Sequence, residues 1–256
     1  MNPAIPSFLF PYMLFGTIAT LAALVFGLNR SLRIANWSAP NRTKAVWASI
    51  ALLAALYIAA DTPARRDLYN RPSSIPLIQF GVLAPIALAL LLFFFWQPFR
   101  RTIEAIPQQW LVGIQLYRVE GVIFLILYAM NKLPAAFAIP AGVGDVLVGL
   151  AAPSVALAFI RKSPDADKLL RRWNLLGLAD LAVALTTGFL TSPSPIQLLS
   201  RNHPNHLVTQ YPLVIVPVFL VPIAILLHLA SLRKLRQTRL NPSQSVPSSF
   251  ALTEPS

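Results

Sequence analysis

Seven long apolar runs divide this chain, and they restrict its fold more than any other feature. A helix needs about 20 apolar residues to cross a bilayer, because each residue adds about 1.5 Å along the axis. The sequence is 56% hydrophobic and only 12% charged, whereas about a quarter of the residues in soluble domains are charged. We therefore predict an all-α polytopic membrane protein, a seven-transmembrane-helix bundle. Its helices are expected at about 8–28, 45–60, 75–96, 110–130, 135–160, 173–191 and 211–231.

The positions of lysine and arginine predict how this bundle is oriented. Fifteen of the 21 basic residues fall in the first, third and fifth gaps between helices or in the C-terminal tail. Five fall in the remaining gaps, and Arg118 lies inside the fourth helix. Basic residues concentrate in cytoplasmic loops. We therefore predict an N-terminus outside, a C-terminus in the cytoplasm, and multi-pass insertion in the cell membrane, as a bacterial inner-membrane protein.

The charge and the cysteine content exclude several classes of partner and chemistry. The formal net charge of +12 arises mainly from short loops next to the predicted bilayer. Anionic headgroups explain this distribution better than nucleic acid does, so we expect membrane lipids as partners. Cysteine is absent, which excludes disulfides and thiol chemistry. His203 and His206 have the spacing of a metal pair but lack a third ligand, and we expect neither a metal site nor a cofactor.

The apolar runs also define the domain organisation. We expect one transmembrane domain over residues 1–236. Residues 237–256 are rich in serine and proline and show no apolar period. Such a composition is typical of disorder, so we interpret this segment as a disordered cytoplasmic tail.

A few polar groups lie inside the predicted helices, and they are the candidates for function. An ionisable group at the centre of a membrane helix costs about 2.5 to 3.5 kcal/mol on insertion scales. Such groups should therefore face protein or water. We predict a polar centre in helices 4 to 6 that contains Asp145, Asp180, Arg118 and Glu120, with Gly142 and Gly144 beside it and His228, Gln115 and Asn174 as secondary members.

The fifth helix has an unusual composition around its aspartate. Pro140, Gly142 and Gly144 precede Asp145, and Gly149 follows it. Proline and glycine weaken a helix, and interrupted helices mark binding sites in transporters. We therefore expect a break in the backbone near mid-membrane, or alternatively glycines that only permit close helix packing. A similar G-x-small-D pattern recurs in the sixth helix, where it ends at Asp180.

Arg118 needs a partner of opposite charge. On an α-helix it points about 200° away from Glu120, so these two side chains cannot readily pair. Counted from the predicted helix ends, Asp180 lies at the depth of Arg118 and Asp145 lies deeper. We therefore predict Asp180 as the first partner and Asp145 as the second. His228 lies near the inner end of the seventh helix, where we expect its ring to reach toward the headgroups.

Several of these residues form a pattern that covers the C-terminal half of the chain. The pattern consists of Arg118-x-x-Gly121, the Pro/Gly-rich run at 133–145, Trp173-Asn174-x-x-Gly177-x-x-Asp180 and His228-Leu229. It resembles uncharacterised bacterial multi-pass membrane proteins, and this resemblance implies no assigned activity. A retinal protein is excluded because the seventh helix contains no lysine before Lys234.

Three functions remain open at this point. The leading hypothesis is binding or transport of a small solute through the polar centre, with proton coupling if Asp145 titrates. The second is an intramembrane enzyme acting on a lipid or isoprenoid, with Asp145, Asp180 or Glu120 as general acid. The third is a non-catalytic scaffold or partner subunit. We assign no catalytic residue from the sequence.

Overall fold

The structure is a computed structural model that describes residues 5–71 and 77–240. Within these ranges the chain forms helices and loops and no strand. Seven described helical segments are long and apolar enough to cross a membrane, and we number them as spans. Spans 1 to 7 are α1 (Leu9–Ile34), α2 (Ala39–Arg65), α3 (Leu77–Phe95), the composite segment Gln108–Ala129, α7 (Ala135–Ile160), α8 (Ala166–Thr191) and Val216–Thr238.

Spans 2 and 6 are longer than the apolar runs in the sequence. The helices have 27 and 26 residues, because each continues through polar residues at its end. The early start of α8 moves Asp180 to 14 residues from Ala166, and Asp145 lies 15 residues from Ile160 at the same end of the bundle. At 1.5 Å per residue both aspartates lie about 21 to 23 Å from those ends. The expectation that Asp145 lies much deeper than Asp180 is therefore wrong.

The non-α backbone lies in span 4 rather than in span 5. The continuous helix α7 contains Pro140 and Pro153 without interruption, so the expected break there is wrong. Span 4 consists instead of α5 (Gln108–Gly113), a 3-10 helix (Ile114–Gly121) and α6 (Val122–Ala129). A 3-10 helix has three residues per turn, so residues i and i+3 share a face. This geometry places three buried residues in one row: Gln115, Arg118 and Gly121.

Span 7 also departs from α-helical geometry at its beginning. Residues Val216–Leu220 form a π-helix, and α9 (Val221–Leu240) continues from it. Two side chains of the 3-10 segment of span 4 donate hydrogen bonds to carbonyls of span 7: Tyr117 Oη to Leu220 at 3.0 Å and Gln115 Nε2 to Ala224 at 3.2 Å. These contacts attach the 3-10 segment to the end of the π-helix and to the first turn of α9.

Polar contacts hold the two ends of the bundle. At one end, Lys234 of α9 donates to the carbonyl of Glu104, the last residue of the short helix α4 (Gln97–Glu104), and to that of Ile106 just after it. At the other end, Arg65 of α2 donates to the Tyr211 hydroxyl at 2.6 Å. The helix α9 extends four residues into the predicted tail, and residues 241–256 of that tail lie outside the described part.

Candidate functional site

Arg118 occupies the centre of spans 4 to 7 and is 3% exposed. Its Nε donates to Asp145 Oδ1 at 2.8 Å, and its Nη2 pairs with carboxylates of both Asp145 and Asp180. One guanidinium therefore joins spans 4, 5 and 6. The predicted pairing of Arg118 with an aspartate is confirmed, and both candidates are partners. The planar guanidinium suits this role because it presents five donors in a fixed arrangement.

The remaining Arg118 nitrogen, Nη1, lies 3.3 Å from His228 Nε2 in span 7. Because a guanidinium can only donate, Nε2 accepts and the ring proton is on Nδ1. Nδ1 in turn donates to Asn174 Oδ1 at 2.9 Å. His228 is thus neutral, fully buried and 4.9 Å from the Trp173 ring. The expectation that it reaches the headgroups is wrong, because this polar chain provides its partners.

From His228 the polar chain continues toward the end of the bundle that holds Gln108. Asn174 Nδ2 donates to Ser231 Oγ at 2.8 Å, and Gln108 Nε2 donates to the same oxygen at 2.5 Å. Gln108 and Ser231 were not predicted as site residues, since both lie near the ends of the predicted helices, where polar residues are ordinary. The i, i+3 spacing of His228 and Ser231 is the one available indication that they share a face.

Asp145, Asp180 and His228 each lie against a glycine of a neighbouring span. A Cβ on Gly121 would meet Asp145, one on Gly144 would meet Asp180, and one on Gly177 would meet the His228 ring. All described glycines have negative φ. Their function in this fold is therefore close approach between helices rather than turn formation.

The other predicted site residues have different surroundings. Gln115 faces span 7, as described above, and its Oε1 has no hydrogen-bond partner among the described residues. Gly142 lies against the Leu125 side chain and the Gly121 carbonyl, where it permits close packing. Glu120 points away from the Arg118 row, and no described side chain pairs with its carboxylate. Among the described residues, no side-chain hydrogen bond or ion pair joins Gln115 or Glu120 to the ionic cluster.

The ionic cluster has two carboxylates for one guanidinium. With both carboxylates ionised and His228 neutral, its formal charge is −1. The Asp145 and Asp180 side chains are 14% and 13% exposed, whereas that of Arg118 is 2% exposed. A cavity of about 30 Å³, measured as the space open to the centres of water molecules, adjoins Arg118, Asp145 and Glu120. This space exceeds the roughly 10 to 15 Å³ that one water needs.

The sequence profile of one protein family matches residues 75–236, which is more than half of the chain. The chain belongs to this family, described as a domain of unknown function (DUF8737). No curated protein and no solved structure matches it.

The matched DUF8737 range contains the whole polar centre, from Gln108 in span 4 to Ser231 in span 7. Helices α1 and α2 precede that range. Within the described residues, no group of three or more His, Cys, Asp or Glu side chains could hold a metal ion. The site is thus an ionic and hydrogen-bonded cluster built by the DUF8737 domain.

Proposed function

We propose that the chain is a multi-pass membrane protein with its N-terminus outside and its C-terminus in the cytoplasm. Large apolar side chains on the outer faces of the spans support insertion, for example Phe15 and Phe95, which are 77% and 81% exposed. The excess of basic residues in alternate gaps supports the orientation. Tags at the two termini should report opposite sides of the membrane, and equal accessibility from one side would contradict this topology.

We further propose that the polar centre binds a small cation in exchange for a proton. The observation that carries this proposal is the sharing of Arg118 by Asp145 and Asp180, which leaves one negative charge uncompensated. An uncompensated charge in a low-dielectric site is costly. A proton or a cation removes that cost, and because both neutralise the same carboxylates, they compete.

The cavity beside the cluster is large enough for a water molecule but too small for a larger solute in this conformation. Binding of a solute therefore requires a rearrangement of the surrounding spans. The 3-10 segment of span 4 is the natural element to move, because such segments within a longer helix often mark hinges. Two of its side chains, those of Gln115 and Tyr117, donate hydrogen bonds to backbone carbonyls of span 7.

The experiment is a thermal-shift screen of the purified full-length protein with alkali ions, ammonium and small alkylammonium ions at several pH values. We expect at least one cation to stabilise the parent, and the stabilisation should weaken as protons compete at lower pH. Glu120, Tyr117 and His228 are the other titratable groups near the cluster, so Glu120→Gln is included to separate its effect.

Asp145→Asn and Asp180→Asn are the decisive variants, because each removes the excess charge and leaves Arg118 one carboxylate. Each should fold and lose the cation-dependent stabilisation. Asp165→Asn is the matched control, since Asp165 is an exposed carboxylate paired only with Lys168 on the surface. Stabilisation by a cation that persists equally in both decisive variants would contradict the proposal, as would the absence of any cation effect on the parent.

A further inference from the structure

An open groove lies between span 1, span 4 and the end of span 5, on the side of span 4 that faces away from the ionic cluster. Its volume is about 790 Å³, and its lining includes Thr20, Ala23, Trp110, Glu120 and Ala156. This volume is within the range of about 300 to 1,000 Å³ that is typical of small-molecule sites. The lining is otherwise mainly apolar.

Glu120 is the one acidic residue in the lining of this groove. Its backbone carbonyl accepts a hydrogen bond from Tyr12 Oη at 2.7 Å, which fixes the residue against span 1. In the part of the chain that the structure describes, no basic side chain or hydrogen-bond donor contacts its carboxylate. Gly16 of span 1 provides the space for that carboxylate, since a Cβ there would collide with it.

Thr20 supplies a second polar group without a partner. Its side chain is 2% exposed, lines the same groove, and has no hydrogen-bond partner for its hydroxyl among the described residues. A buried hydroxyl without a partner costs about 1 to 3 kcal/mol. The described residues thus leave two polar groups beside this groove without partners, and of the two Glu120 is the one that a positive charge on a ligand would neutralise.

We propose that the groove binds a lipophilic cation that enters from the bilayer, with Glu120 as its counter-ion. A carboxylate at mid-membrane costs about 2.5 to 3.5 kcal/mol on insertion scales, and a positive charge offsets this cost. The apolar lining requires an apolar body on the same molecule. A neutral lipid would leave the carboxylate unpaired, and a small hydrated cation would leave the apolar walls unfilled. Trp110 adds an aromatic face that suits a delocalised cation.

This site goes beyond the cation exchange proposed for the polar centre and does not rest on it. Glu120 makes no ion pair with Arg118, and the two sites are tested with different variants. Glu120 and Tyr117 do line both the groove and the small cavity beside Arg118. These two residues therefore separate the groove from the ionic cluster.

The experiment is a titration of the purified full-length protein in lipid nanodiscs with tetraphenylphosphonium, followed by Trp110 fluorescence and by thermal shift. The chain has five tryptophans, so a Trp110→Phe variant shows which part of the fluorescence change comes from Trp110. The parent should show saturable binding, and Glu120→Gln should weaken it at least about tenfold, which corresponds to about 1.4 kcal/mol. Asp165→Asn, an exposed carboxylate, should bind as the parent does. Neutral triphenylphosphine oxide should bind at least about tenfold more weakly to the parent than tetraphenylphosphonium.

Ala23→Leu provides an independent test that leaves Glu120 intact, because the larger side chain fills the groove. It should weaken binding of tetraphenylphosphonium by a similar factor. The proposal is overturned if the parent shows no saturable binding, if Glu120→Gln or Ala23→Leu binds as tightly as the parent, or if the neutral compound binds as tightly as the cation. If Glu120→Gln does not fold, Ala23→Leu and the neutral compound still decide the question.

Discussion

In span 7, 61% of the most apolar 18-residue window is buried inside the protein, whereas in span 2 only 6% is. Span 7 provides His228 to the polar centre and packs there against Gly177 of span 6, whereas span 2 provides no residue to that centre. Lipid tails are as apolar as leucine, so apolar surface alone does not drive helix association in a bilayer. The comparison indicates that polar contacts and close packing, rather than hydrophobicity, hold the bundle together.

The largest effect is expected at Arg118. Arg118→Met leaves Asp145 and Asp180 buried without a counter-ion, so the free energy of unfolding should fall by about 3 to 5 kcal/mol. Denaturant titration in mixed micelles measures it, with Arg30→Met on the exposed end of α1 as control. Adding Asp145→Asn and Asp180→Asn should restore part of the loss, because the three residues act as one unit. A loss below about 1 kcal/mol would mean that contacts other than those of Arg118 hold spans 4 to 7 together.

The second effect concerns close packing between spans 4 and 5. A Cβ on Gly149 would lie 2.7 Å from the Val119 backbone nitrogen, which cannot move aside as a side chain can. Gly149→Ala should therefore destabilise the protein by about 1 to 3 kcal/mol in the same titration.

Gly113→Ala is the matched control for that change, since nothing lies within 4 Å of its new Cβ. It should stabilise the helix by up to about 1 kcal/mol, because alanine has the higher helix propensity. Equal effects of the two substitutions would mean that the spans are not as close as the structure places them.

These contacts show which parts of the site could be predicted from the sequence. Arg118, Asp145 and Asp180 were identifiable because charge within an apolar run is rare and needs a partner. The neutral state of His228 was not, since it depends on Asn174 and on the guanidinium, which come from other spans.

The fold was predictable to a similar degree. The apolar runs indicated seven helices. The 3-10 segment at Ile114–Gly121 could not be predicted from helical periodicity, because Gln115, Tyr117 and Arg118 contact residues of other spans there. The extra length of α2 and α8 was missed because their polar end residues resemble loop residues.

A smaller effect is expected at the end of the polar chain. Ser231→Ala removes the acceptor for Gln108 and Asn174, each of which keeps one backbone carbonyl as partner. Stability should fall by about 1 kcal/mol. Ser49→Ala in α2 is the matched control, since its hydroxyl only donates to Ala45 within its own helix, and it should change stability by less. A larger loss for Ser49→Ala than for Ser231→Ala would contradict the conclusion that polar contacts contribute more to the packing of spans 4 to 7 than to that of span 2.

The smallest effect is expected on the outer face of span 2. Ile58 is 61% exposed, so Ile58→Ala should alter the free energy of unfolding by no more than about 0.5 kcal/mol. Leu227→Ala in span 7, where the side chain is 5% exposed, should cost about 2 to 5 kcal/mol by comparison. Similar values at the two positions would show that span 2 packs against protein that the described residues do not include.

The most direct test of the polar centre is infrared difference spectroscopy of the protein in lipid between neutral and low pH, in a Glu120→Gln background that removes the nearby carboxylate. Carboxylates outside the cluster contribute bands that the parent and the variants share. If Asp145 and Asp180 share one excess negative charge, lowering the pH should add one proton to the cluster and produce a further carbonyl band, that of a protonated buried carboxyl group. That band should be lost in both Asp145→Asn and Asp180→Asn. A spectrum that both substitutions leave unchanged would contradict an exchangeable positive charge at this site.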